Sequence, residues 1–229
     1  MLTLRPAAQR GTTNFGWLDS RHSFSFGDYS DPDQHHFRAL RVINDDRIAG
    51  GGGFPTHPHR DMEILTFVLS GAIAHRDSMG TVGTVNAGEW QSMSAGTGVA
   101  HSEFNPSATD PTHLLQIWLV PDKKGYAPRY AQKSFADAPH GAWEPVATPD
   151  GRDGSLAIRQ DAVLSTAKLR LGDEVSYAFA PGCGGWLHLA TGTATVNGLS
   201  LTAGDALAVT DEATITVTGD GEVLLFDLA

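Results

Sequence analysis

Apolar residues along this chain fall in short clusters separated by turn-forming residues. Leu40–Ile43, Ile64–Leu69, Leu114–Val120, Leu187–Leu189, Thr193–Val196, Ala206–Val209, Ile215–Val217 and Val223–Leu228 are rich in β-branched, leucine or aromatic residues. Gly, Asp, Asn or Pro stands between most of them. Clusters of this length and spacing predict β-strands, and so many of them predict an all-β sandwich or barrel. Helical periodicity is scarce. Pro128 to Ala138 reads as a short helix or irregular connection. The stretch 139–154, with three prolines and three glycines, reads as loop. A boundary in this region divides the chain into 1–132 and 133–229.

The two halves are weakly alike. Ser70-Gly71 ends one strand and Ala87-Gly88-Glu89 opens another, while Thr191-Gly192 and Ala203-Gly204-Asp205 do the same later. Glycine followed by an acid is a tight-turn signal. A step of thirteen residues from Gly88 reaches His101, and the same step from Gly204 reaches Val217. The pattern predicts an internal duplication whose second copy lacks the polar groups of the first.

Composition narrows the function classes. The net charge of −10 over 229 residues opposes nucleic acid as a main ligand and an anionic membrane surface as a partner. One cysteine, Cys183, excludes an internal disulfide framework and any multi-cysteine zinc site. No apolar leader or membrane-length run occurs, so a cytoplasmic protein is expected. No heptad argues for assembly, and a monomer is expected.

The chemistry concentrates in two short pairs. His57-Pro58-His59 and His101-Ser102-Glu103 each place polar side chains at i and i+2, which share one face of a strand. On facing strands they bring three imidazoles and one carboxylate to one point, a set suited to a divalent transition metal with positions left for water or substrate. Fe, Mn, Co, Ni, Cu(II) and Zn all accept such ligands. Glu63, four residues from His59, competes with Glu103 for the carboxylate position. Gln116, inside an apolar strand, has the placement of a ligand-binding amide. His22 and His75 are further pocket candidates, with Arg76 and Asp77 beside the latter; the other reading of 75–77 is a turn. Phe54, Phe24, Phe26, Met93 and Trp118 are candidates for an apolar lining or for the core. Asp45-Asp46 reads as a turn. Gly50–Gly53 lacks the Lys and Ser/Thr of a phosphate loop and reads as a segment that lets the backbone pass close to the barrel mouth.

Gly51-x5-His57-x-His59-x3-Glu63 resembles the first cupin motif, and His101-x3-Asn105 the end of the second. The stretches HPHRDMEILTFVLSG (57–71), HRDSMG (75–80), MSAGTGVAHSEFN (93–105), LLQIWLVP (114–121) and RHSFSFGDY (21–29) resemble the pirin family. Asp61-Met62 stands where the family usually has Gly-Phe, and Ser70 where it has Glu. The resemblance implies a bicupin, two β-barrels packed face to face, with metal only in the first. It puts the ligands on His57, His59, His101 and Glu103, with Fe(II) the first expectation. Bacterial members are similar to quercetin 2,3-dioxygenases, which open the central ring of a flavonol with O2 and release CO. Glu103 would then take the proton of the substrate's 3-hydroxyl. The alternatives are a redox-sensing regulatory protein resembling the nuclear members, or a cupin oxidoreductase acting on another small phenolic.

Overall fold

The strands form where the apolar clusters lie, and several run further. The computed structural model describes residues 1–229 as nearly all β-structure, with single helical turns at Ala7–Gln9 and Arg152–Gly154. Leu40–Ile43 is the start of a longer strand, Leu40–Ile48. The apolar runs at 187–189 and 193–196 belong to one strand, Gly184–Val196, and those at 215–217 and 223–228 to another, Thr214–Leu228. These two long strands pair from Gly184↔Leu228 to Val196↔Val217. The intervening polar residues stay in the ladder because leaving it would strand their backbone groups. No helix is long and apolar enough to cross a membrane.

The chain groups into two compact units. One comprises Gly11–Ala136 and Ile158–Gln160, the other Met1–Arg10, Asp137–Ala157 and Asp161–Ala229. The opening segment belongs with the later unit because Leu2–Arg5 pairs with Ala206–Val209. A single cut after residue 132 does not describe this interleaving. Both units contain the same turn. Gly88 N–H donates to Val68 O and Ala87 N–H to Gly71 O; Gly204 N–H donates to Leu189 O and Ala203 N–H to Gly192 O. Gly88 (φ +80°) and Gly204 (φ +88°) are left-handed, a conformation that favours glycine.

The Gly11–Ala136 unit has two sheets. The seven-stranded sheet runs Arg129–Ser134, Glu89–Ser94, Glu63–Ser70, Thr112–Leu119, Leu40–Ile48, Leu18–His22, Gly11–Asn14. The four-stranded sheet runs Gly53–His59, Val99–Phe104, Ala72–Asp77, Val82–Asn86. Leu18, Ile48, Val68 and Leu114 from the larger sheet pack with Ile73 and Val85 from the smaller in one buried apolar cluster. Each such residue contributes about 1.5–3 kcal/mol on burial. That apolar packing is what lets the polar side chains farther along the same strands be held away from water.

Several expectations fail, for identifiable reasons. Residues 128–138 are not helical: Arg129–Ser134 is a strand pairing residue for residue with Glu89–Ser94. A helix there would leave the outer edge of Glu89–Ser94 unpaired. The 139–154 stretch contains the strand Trp143–Thr148. Asp45 and Asp46 are no turn; both are buried within Leu40–Ile48. Asp45 accepts from His113 Nε2 at 2.7 Å and from Arg47, and Asp46 accepts from the Ser20 hydroxyl. The acid pair resembled a turn only because its partners lie on distant strands.

Candidate metal centre

Three neighbouring strands of the smaller sheet carry an i, i+2 pair each. Gly53–His59 holds His57 and His59, Val99–Phe104 holds His101 and Glu103, and Ala72–Asp77 holds His75 and Asp77. The registers His101↔His57, His101↔Asp77 and Glu103↔His75 align them. The pairing slips between His101 and Glu103, where Glu103 faces Phe54, so the Gly53–His59 strand bulges at Pro55-Thr56. Bulges re-aim side chains beside functional sites. Pro55 and Pro58 are tolerated because this is the edge strand of its sheet. The glycine run is needed for closeness here: a Cβ on Gly53 would lie 2.4 Å from the Glu103 carbonyl oxygen.

The three imidazoles converge through Nε2. His59 Nε2 and His101 Nε2 are 3.0 Å apart, and His101 Nε2 and His57 Nε2 are 3.1 Å apart. Neighbouring ligand nitrogens at about 2.1 Å from one ion are separated by about 3 Å. The outer hydrogen bonds set the tautomers. His57 Nδ1 donates to the Pro55 carbonyl at 2.8 Å, which leaves Nε2 a bare acceptor. His75 Nε2 donates to Asp77 Oδ2 at 3.0 Å, so His75 Nδ1 accepts from His101 Nδ1 at 3.4 Å, and His101 Nε2 is bare as well. Two lone pairs facing each other at 3.1 Å suit a shared cation and little else. Trp118 packs edge-on against His59 with ring centres 5.0 Å apart, which fixes that ring.

Glu103 is clamped. Gln91 Nε2 donates to Oε1 at 2.6 Å and Gln116 Nε2 to Oε2 at 2.9 Å. Thr66 orients both amides, accepting from Gln91 at 2.9 Å and donating to Gln116 Oε1 at 2.7 Å. Burial pushes the Glu103 carboxyl above the usual carboxylate range, against the pull of His75, Gln91, His57 and Gln116. Burial, then His57, lowers His59 to about 4. Burial, then the neighbouring histidines, lowers His101 to about 3. Both imidazoles are therefore neutral, ligand-ready bases at physiological pH. His57, His59 and His101 form one ligand cluster, and His75, His101 and Glu103 an overlapping second.

The cluster lies on a cavity of about 420 Å³, lined by His57, His59 and Glu103 and, among apolar residues, by Phe26, Phe54 and Trp118. His22 and Gln116 line it too. Phe24 and Met93 are instead sealed in the core. His75 is buried behind His101, on a strand and not in a turn. Glu63 is elsewhere: it accepts from Ser94 Oγ at 2.7 Å and from Arg159 N–H at 3.1 Å. Asp61, at φ +49°, breaks the strand between His59 and Glu63 and destroys the parity that would have aligned them. Gln91, Thr66, Asp46 and Ser20 were missed. Gln91 carried a signal, a lone amide in a buried strand like Gln116, but the partner that uses it is set only by strand pairing.

Residues 3–119 match the Pirin family model, and residues 145–228 match the Quercetinase C-terminal cupin domain. The chain belongs to the pirin family. This pirin is 50% identical to a quercetin 2,3-dioxygenase of Escherichia coli strain K12, over 100% of this chain and 99% of that protein. It is 41% identical to a pirin-like protein of Caulobacter vibrioides, over the whole of both chains. The crystal structure of the bacterial pirin YhhW from Escherichia coli in complex with nickel(II) is similar, with TM-score 0.95 and 48% identity, covering 100% of this chain and 99% of that one. Two cupin domains, expected from the motifs, are thus present in this pirin.

Proposed function

We propose that this pirin is a metal-dependent quercetin 2,3-dioxygenase, converting a flavonol and O2 to the ring-opened ester and CO. The observation that carries this reading is the placement of three converging imidazole nitrogens and one clamped carboxylate on a largely apolar cavity of about 420 Å³. Cavities of about 300–1,000 Å³ take ligands of this size. A sensor needs no such room, so the cavity favours the enzyme over the regulatory reading.

His57, His59, His101 and Glu103 would hold one divalent ion, Fe(II) in our reading, with Mn, Co, Ni, Cu and Zn as chemically competent substitutes. When bound, the ion supplies Lewis-acid activation of the substrate's 3-hydroxyl and redox chemistry with O2. The protein does the rest. Glu103, raised by burial and aimed by Gln91 and Gln116, accepts the proton of the 3-hydroxyl. Phe26, Phe54 and Trp118 hold the planar rings and exclude water. Reconstitution with each metal under anaerobic conditions, followed by quercetin and O2, tests the proposal. Metal-dependent loss of flavonol absorbance with stoichiometric CO, absent in His57→Ala, is expected. Tight metal binding without CO would overturn it.

A further inference from the structure

The cavity has a second polar feature that the proposed chemistry does not use. Inward positions on the paired strands Leu18–His22 and Leu40–Ile48 are Ser20 and His22 on one, Asp46 and Asn44 on the other, in the cross-strand pairs Ser20↔Asp46 and His22↔Asn44. Each of these four side chains lines the cavity, and none is more than 4% exposed. Interior positions of a small barrel are ordinarily filled by apolar side chains, so four polar ones in one patch need a cause.

Internal hydrogen bonding accounts for three of them. His22 Nδ1 donates to Asn44 Oδ1 at 2.7 Å, and His22 Nε2 accepts from the Thr13 hydroxyl at 2.9 Å. Ser20 donates its hydroxyl proton to Asp46 Oδ1. The Asp46 carboxyl itself is held by that one bond and otherwise presented to the cavity. Asp46 is thus a positioned hydrogen-bonding group on the larger sheet, whereas the histidine cluster is on the smaller one, and Phe26, Phe54 and Trp118 line the same cavity.

We propose that Asp46, oriented by Ser20, binds a ring hydroxyl of the phenolic substrate other than the 3-hydroxyl, and so selects polyhydroxylated flavonols over those lacking ring hydroxyls. This inference rests on the flavonol reading above and assigns its substrate class more narrowly. The carboxyl is suited to the task. Burial, with Asp45 and Glu103 adding to it against the Ser20 bond, raises Asp46 to about 7. Ionised, the carboxyl accepts from a phenol hydroxyl; protonated, it also donates to a phenol oxygen. A polar group built to meet a hydroxyl discriminates against a ligand that lacks one, because the analogue leaves it buried and unpaired.

The test is anaerobic binding to the nickel(II)-loaded protein, which compares quercetin with 3-hydroxyflavone by quenching of tryptophan fluorescence. The wild type should bind quercetin roughly ten- to a hundredfold more tightly. Asp46→Leu should bring the two dissociation constants to within about threefold, chiefly by weakening quercetin. Ser20→Ala, which leaves the carboxyl in place but unaimed, should lower the preference in part and serves if Asp46→Leu folds poorly. An unchanged preference in folded, metal-loaded Asp46→Leu or Ser20→Ala overturns this inference alone. Failure of the wild type to bind either compound overturns the flavonol reading and this inference with it.

Discussion

His75 and Asp77 are joined by a 3.0 Å hydrogen bond, and neither side chain is accessible to solvent. The other Asp77 oxygen accepts from the backbone N–H groups of Met79 and Thr81. Burial would raise this carboxyl, but the bonds from His75, Thr81 and Met79 together outweigh it and hold it below the usual range. An ionised Asp77 dictates that His75 keeps its proton on Nε2. His75 Nδ1 must then accept from His101, and His101 Nε2 turns bare toward His57 and His59. The chain Asp77–His75–His101 thus sets, from behind, which nitrogen of His101 carries the proton.

Asp77→Asn should therefore weaken metal binding while sparing the fold. The amide can turn its NH2 toward His75 and invert the tautomer along the chain. Loss of such an outer partner costs about 10–100-fold in metal affinity. Titration against a competing chelator measures it; affinity within about twofold of wild type would show that His101 is oriented by other contacts.

Glu103→Gln removes the anion and leaves Gln91 and Gln116 facing a third amide. Turnover of quercetin at saturating metal should fall by about 10²–10⁴-fold, the usual worth of a positioned proton acceptor. Steady-state kinetics on protein of confirmed metal content checks this. Near-normal kcat would remove Glu103 from the proton-transfer role.

Acid should destabilise the metal-free protein. His59 and His101 are depressed to about 4 and about 3, against about 6.5 in an unfolded chain. Between these values the unfolded chain binds more protons, so stability is intact above about pH 6.5 and falls as pH drops below it. Asp46, raised to about 7, has the opposite sign. Its extra proton stabilises the folded state below its unfolded value of about 3.9, and that contribution is lost as pH rises through about 7. Metal-free Asp46→Asn lacks this offset and should lose more stability than wild type between about pH 7.5 and about pH 5. Urea midpoints at both pH values report the difference; parallel losses would contradict the raised Asp46.

Gly53→Ala puts a methyl group 2.4 Å from the Glu103 carbonyl and against Phe104. The strands must separate where they carry His57, His59, His101 and Glu103. A stability loss of about 1–3 kcal/mol is expected, with weaker metal binding. Thermal unfolding with and without metal tests it, and an unchanged midpoint would mean the edge strand yields freely.

The clustering of His57, His59 and His101, and of Glu103 beside His101, was legible because i, i+2 parity survives on any regular strand. His75 and Asp77 obey the same parity, yet they follow Gly71 closely and so also fitted a turn. Asp45 and Asp46 were unreadable for a related reason: two acids in a row are acceptable inside a strand only when His113, Arg47 and Ser20 meet them from elsewhere. Arg129–Ser134 is polar and half-exposed, and only its partner Glu89–Ser94 makes it a strand. Local pattern reveals which residues share a face. It does not reveal which distant strand supplies the partner.

The most direct test of the site is an anomalous-difference map from crystals of this pirin loaded with one equivalent of nickel(II) or Fe(II). A single strong peak is expected within bonding distance of His57 Nε2, His59 Nε2, His101 Nε2 and a Glu103 carboxylate oxygen. A peak bonded to Glu63, or one that leaves any of the three histidines unbound, would contradict it.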